Sequence, residues 1–215
     1  MTVSVDEIRN TVTPLRLVFW GGLLCVLDFS FSETANGEGW KCDILNDFVG
    51  MVMITWAVFR LAGIKVNDRY AAAMVFVKVT AVLSCVDALH DHFIYPRPPA
   101  LSFVLTLLGA AAMVATLLFC LAMRWLSMAA GLWRSAKSWG VSAVLFTVIY
   151  VVPLGLFYLA AAVAIATESS FHIELGAAGL LLLPVFFIPL IHLFVSTSRM
   201  KNEAESTATV DGLEP

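Results

Sequence analysis

The chain has 215 residues, of which 60% are hydrophobic and only 13% charged, against about 45–50% apolar and about 25% charged in an ordinary soluble domain. That composition excludes a water-soluble fold, and the charged residues gather at the edges of long apolar runs, as in a polytopic membrane protein. A formal net charge of -3, without any basic cluster interleaved with aromatics, argues against nucleic acid as a partner.

In chain order, six segments approach the roughly 20 apolar residues that cross a bilayer. They lie near residues 15–31, 44–62, 70–90, 100–124, 140–167 and 176–197. The expected fold is therefore all-α: a single six-span membrane bundle over residues 1–200. Asp28 lies inside the first run, and no small-residue cleavage site follows it, so this run reads as a retained span rather than a signal peptide. The polar stretch 201–215, which has no periodicity, is expected to be a disordered cytoplasmic tail.

Lys and Arg divide ten to two between the two sides, with only Lys41 and Arg97 on the sparse side and Lys78 left inside the third span. The positive-inside rule then puts both termini in the cytoplasm and leaves an acidic outer face carrying Asp28, Glu33, Glu38, Asp43, Asp47, Asp87, Asp91, Glu168 and Glu174. Without an Asn-x-Ser/Thr acceptor, the chain fits a bacterial cytoplasmic membrane. Between Ser127 and Trp139 the spacing of Met128, Leu132, Ala136 and Trp139 is near-helical. This linker reads either as a short amphipathic helix on the inner leaflet or as a continuation of the fourth span, with Trp125, Trp133 and Trp139 as interfacial anchors.

Spans one to three are short between their flanking charges. At about 1.5 Å per residue, Arg16 to Asp28 covers about 18 Å, Asp47 to Arg60 about 20 Å and Lys78 to Asp87 about 14 Å, all below the roughly 30 Å of hydrocarbon. Long basic side chains can snorkel to water whereas aspartate cannot, so Asp28, Asp47 and Asp87 are the submerged groups. Charges in that position face a bundle interior or a watery cavity. The three are expected to form an outer polar pocket, with Lys78 as counter-ion, substrate anchor or snorkelled inner-leaflet residue.

The run CVDALHDHF in the third span supplies Asp87, His90, Asp91 and His92, residue types that can bind a divalent metal. The alternative is a set of solvated helix-end caps. His90 and His92 beside carboxylates would also make the pocket respond to pH between about 5 and 8. Pro153, Pro184 and Pro189 are expected to kink their helices rather than break them, Gly109 to Ala112 to form a close helix-packing surface through which copies could associate, and His192 to be a packed, hydrogen-bonded histidine. The four cysteines form no CxxC pair, although Cys42 and Cys85 share the outer side, where a disulfide is conceivable in an oxidising compartment.

Three functional classes follow. The first is binding or transport of a cation, proton or small polar solute through the acidic outer pocket. The second is a non-catalytic membrane scaffold or accessory subunit, and the third a metal-dependent membrane enzyme, the chain leaning away from catalysis. The topology is directly testable: reporter fusions at Glu38, Arg97 and Glu174 should read external, and fusions at Lys65, Arg134 and the C-terminus internal. An internal signal at Arg97 overturns the orientation.

Overall fold

The computed structural model describes residues 5–26, 30–35, 38–43, 47–93, 99–166 and 176–211. Helices α1 (Val5–Val26), α2 (Asp47–Ala62), α3 (Asp68–Phe93) and α4 (Pro99–Ala129) are followed by a fifth rod. That rod consists of α5 (Trp133–Phe146), one π turn (Thr147–Val151) and α6 (Val152–Ala166), and α7 (Gly176–Asp211) ends the described chain. Three of these stretches, Asp68–His90, Val104–Ala129 and Trp133–Phe157, are long and apolar enough to cross a membrane.

The exposure pattern is that of a protein solvated by lipid. Along α3, Val75, Val79, Val82 and Val86 form an exposed stripe, while Tyr70, Ala73, Met74, Val77 and Ala81 are buried behind it. Apart from Tyr70 and Trp139, the buried polar side chains among the described residues are serines and threonines, the small hydroxyl residues that let membrane helices approach and hydrogen-bond across their interface.

Each rod packs on two neighbours: α1 on α2 and α7, α2 on α3, α3 on α4, α4 on α5, and α5 on α7. The rods thus form a closed ring. At the end bearing Arg60, Arg69, Arg124 and Arg134 its centre is filled by large side chains, among them Leu15, Tyr70, Met74, Met123, Trp139 and Met200, all 1% exposed or less.

The turns at this filled end are chemically specified. Asn67 accepts the Tyr70 backbone N–H through Oδ1 at 2.8 Å, which caps α3. The Tyr70 hydroxyl reaches back to donate to the Leu61 carbonyl at 2.6 Å, near the C-terminus of α2. After α4, Gly131 adopts a φ of +74°. Gly131 N–H bonds Met128 O at 3.1 Å and Leu132 N–H bonds Ser127 O at 2.8 Å, the paired bonds of a glycine-terminated helix. Chain reversal is complete within these residues.

Several expectations are corrected here. The Ser127–Trp139 segment is no separate surface helix: α4 runs to Ala129 and α5 starts at Trp133. Trp139 is no interfacial anchor, being fully buried and edge-on to Phe119 at 6.1 Å; its near-helical partners Leu132 and Ala136 face the bundle core with it. Trp133 remains exposed. The tail expected to be disordered continues α7 as helix to Asp211, held by Glu203. The Glu203 carboxylate accepts the Arg134 N–H at 3.1 Å, the Ser135 N–H at 2.7 Å and the Ser135 hydroxyl at 2.5 Å. It supplies the cap that the N-terminus of α5 lacks locally.

The chain is also not purely helical. The first connector forms an antiparallel hairpin of β1 (Ser30–Ala35) and β2 (Glu38–Asp43), with Ser30 opposite Asp43 and Ala35 opposite Glu38. A two-residue Asn-Gly connection is the strongest short-range hairpin signal, and Asn36-Gly37 separates these strands. β2 lies against α3. The prolines behave as expected in one respect, since α7 is continuous through Pro184 and Pro189.

The tightest helix approach is between α1 and α2. A Cβ placed on Gly21 would lie 2.5 Å from the Gly50 carbonyl oxygen, and one on Gly50 would lie 2.7 Å from that of Gly21. The expected packing surface at Gly109 is different: a Cβ there meets nothing within 4 Å. Gly21→Leu should therefore destabilise by about 1–3 kcal/mol or more through overpacking, whereas Gly109→Ala should be neutral or slightly stabilising. Thermal unfolding in lipid nanodiscs compares the two, and equal losses would contradict the assigned contacts.

Candidate functional site

Towards the acidic end, the ring centre is empty. All six rods line a cavity of about 440 Å³: Gly22 and Cys25 from α1, Ile54 from α2, Thr80 and Ser84 from α3, Gly109 and Ala112 from α4, Phe146 and Tyr150 from the fifth rod, and Leu190 and Leu193 from α7. Small residues at Gly22, Ala81, Gly109, Ala112 and Ala115 stand where the other end of the ring carries Tyr, Met and Trp. The void is thus set by side-chain size, and the filled core seals its basic end.

Hydroxyl groups are the main polar features of the lining, and their partners differ. Thr116 donates to the Ala112 carbonyl at 2.9 Å, and the Tyr150 hydroxyl donates to the Phe186 carbonyl. Thr80 is 5% exposed and its hydroxyl has no hydrogen bond among the described residues; Ser84 lies one helical turn further along the same face. Tyr150 sits in the π turn, which falls immediately before Val152 and Pro153. Such turns recur at functional sites.

A second polar set runs along the seam of α5 and α7. Ser138 meets Ser196 at 2.9 Å, Ser142 meets Ser196 at 3.0 Å, and Ser142 meets the His192 Nδ1 at 2.9 Å. Ser142 with His192 has the spacing of a nucleophile and its base. Ser142 and Ser196 are fully buried, however, and neither lines the cavity, so among the described residues this ladder is an interhelical zipper. His192 is hydrogen-bonded, as its sequence position implied.

The sequence-predicted acids fall into different settings. Asp47 opens α2, where a carboxylate is favoured by the helix dipole, and its carbonyl accepts the Cys25 thiol at 3.8 Å. Asp87 lies within α3. The Thr55 hydroxyl bonds the Ala81 carbonyl at 3.2 Å, which fixes the register between these two helices. Counted from that contact, Asp47 is about 12 Å and Asp87 about 9 Å along the axis in the same direction. The two carboxylates therefore share a level to within about 3 Å. Ser84 of the cavity lies only one turn below Asp87.

Lys78 is on the other side of that contact, with Nζ 5.3 Å from the centre of the exposed Phe59 ring, so it is not brought to the level of the acids. Asp28 lies outside the described residues. Of the metal candidates, His90 has a buried Nδ1 without a hydrogen-bond partner among the described residues, while the Asp91 and His92 side chains lie outside them. Among the described residues, no three His, Cys, Asp or Glu side chains are grouped to hold a metal.

No family model matches the chain, and neither characterised proteins nor solved structures include a similar one. The site must therefore be read from its own chemistry.

At 100° per residue the sequence groups Thr80 with Ser84, Asp87 and Asp91 on one face of the third span, but it does not single Thr80 out, and it gives no sign of Gly22, Ala81 and Ala115 as a set. One part of the lining was visible, the Gly109–Ala112 run of α4, but small residues read equally well as a packing face. The Thr80 hydroxyl opens on the cavity and has no structural partner to lose among the described residues, so Thr80→Val should change the stability of the ligand-free protein by less than about 1 kcal/mol. A clear loss of stability on this substitution would mean that Thr80 has a structural partner.

Proposed function

We propose that this chain is a six-span membrane protein with both termini cytoplasmic, and that it binds or transports a small molecule in the chamber at the centre of its helix ring. The observation that carries the reading is the asymmetry of that centre: a cavity of about 440 Å³ towards the acidic end and large side chains filling it at the basic end, where a second cavity of about 410 Å³ is lined by α1, α2 and Ile64 alone. That volume falls in the roughly 300–1,000 Å³ range of small-molecule sites, which are mostly apolar with a few placed polar groups. Asymmetry of this kind is the geometry of a site open to one side of the membrane at a time.

The Lys/Arg distribution orients the chamber outwards. Helices α1, α2 and α7, joined to the three apolar spans by continuous packing, would complete the six crossings. A second reading keeps the acidic mouth as a site in itself for a cation, a proton or a small polar solute. It is favoured by the common level of Asp47 and Asp87, about one turn beyond the chamber. The scaffold alternative leaves the chamber without a purpose.

Accessibility separates these readings. In a chain otherwise freed of cysteine, Ser84→Cys should react with a small thiol reagent applied from the outer side, and Met123→Cys, in the packed core, should not. Reaction of Met123→Cys at the rate of Ser84→Cys, or silence of both towards a membrane-permeant reagent, overturns the one-sided chamber.

A further inference from the structure

We infer that the chamber takes an uncharged lipophilic molecule carrying one hydrogen-bonding group, an alcohol or carbonyl, seated against Thr80. This inference rests on the reading of the chamber as a binding site and names the class of its ligand. Three observations carry it. First, the described lining contains no Asp, Glu, Lys, Arg or His side chain. Burying an ion without a counter-charge is strongly unfavourable, and the described lining offers a charged body none, whatever the acids at the mouth attract.

Second, the volume corresponds to roughly fifteen waters at about 30 Å³ each, yet the lining offers them few partners. A lining this apolar favours hydrocarbon-like guests over ordered water.

Third, the hydroxyls are unequal. Tyr150 and Thr116 are committed to the carbonyls of Phe186 and Ala112, whereas Thr80 is 5% exposed and has no hydrogen-bond partner among the described residues. A hydroxyl that lines the chamber without a structural partner marks the point at which a guest would supply one. Ser84, one turn along α3, gives the same polar group a second contact. The ligand's head is thereby placed on α3, with its apolar body against Ala112, Phe119, Leu190 and Leu193.

The test compares four ten-carbon probes with the full chain in nanodiscs: decanol, decane, decyltrimethylammonium and decyl sulfate. Each is scored by the shift in thermal midpoint that depends on the chamber, taken as the difference between the parent and a chamber-filled variant, Ala112→Trp. Gly109→Leu, where a Cβ has open space, is the filling variant if Ala112→Trp does not fold. Decanol should give a chamber-dependent shift with an apparent affinity about tenfold above that of decane, and Thr80→Val should remove that difference.

If decanol shifts the parent and the filled variants equally, or shifts neither, the chamber is not a binding site, and the inference falls together with the reading beneath it. A chamber-dependent shift with decyltrimethylammonium or decyl sulfate and none with decanol keeps the reading and overturns the inference. Equal affinities for decanol and decane, or a preference for decanol that survives Thr80→Val, overturn the assignment of the polar group to Thr80.

Discussion

Six helices closed into a ring cannot all touch a common axis. Rods about 10 Å across leave between them a central space about as wide as one more rod, and only side chains or a guest can fill it. Everything particular to this fold follows from that constraint. At the basic end Tyr70, Met74, Met123, Trp139 and Met200 fill the space, and at the acidic end glycines and alanines leave it empty. The gradient from large to small residues along the ring axis makes the molecule a cup. Closure itself depends on two seams: the glycine contact between α1 and α2, and the hydroxyl zipper that draws α7 onto α5.

Where the helices lie was legible because apolar length is a strong signal: the six runs read from the sequence each find a helical rod, although α1 starts at Val5 rather than near residue 15. What could not be read was which side of each rod faces inwards. In lipid both faces are apolar, so hydrophobicity does not separate core from surface as it does in water. Trp139 illustrates the difficulty, because a tryptophan near basic residues at a helix end reads as an anchor and here closes the core instead. The Gly109–Ala112 run illustrates the converse: small residues permit either close approach or a hole, and only the neighbouring helices decide which. Gly21 and Gly50, separated in sequence and each alone, carry the real close approach.

The candidate site was half legible. Submersion of Asp47 and Asp87 is an expectation from span length and charge spacing; the structure adds that the two share an axial level. Lys78 was harder, since a lysine reaches water, an acid or an aromatic ring with equal ease, and its position over Phe59 is settled by the register of α2 against α3. The chamber itself left no single motif. It emerges from small residues on several helices that only the ring brings together. The hydroxyl of Thr80 becomes noteworthy only once its neighbours are known to offer it nothing.

The bond from Glu203 to the start of α5 also says something about how the molecule is made. Chains are built and inserted from the N-terminus, so the first turn of α5 waits with its amide donors unmet while the rest of the fifth rod and all of α7 are synthesised. The same helix that finally brings the carboxylate also closes the ring against α1 and supplies Ser196 and His192 to the zipper. The contacts that close the ring therefore all belong to the last helix made, and Glu203 acts as the clasp, engaging a helix whose first turn lies some seventy positions earlier.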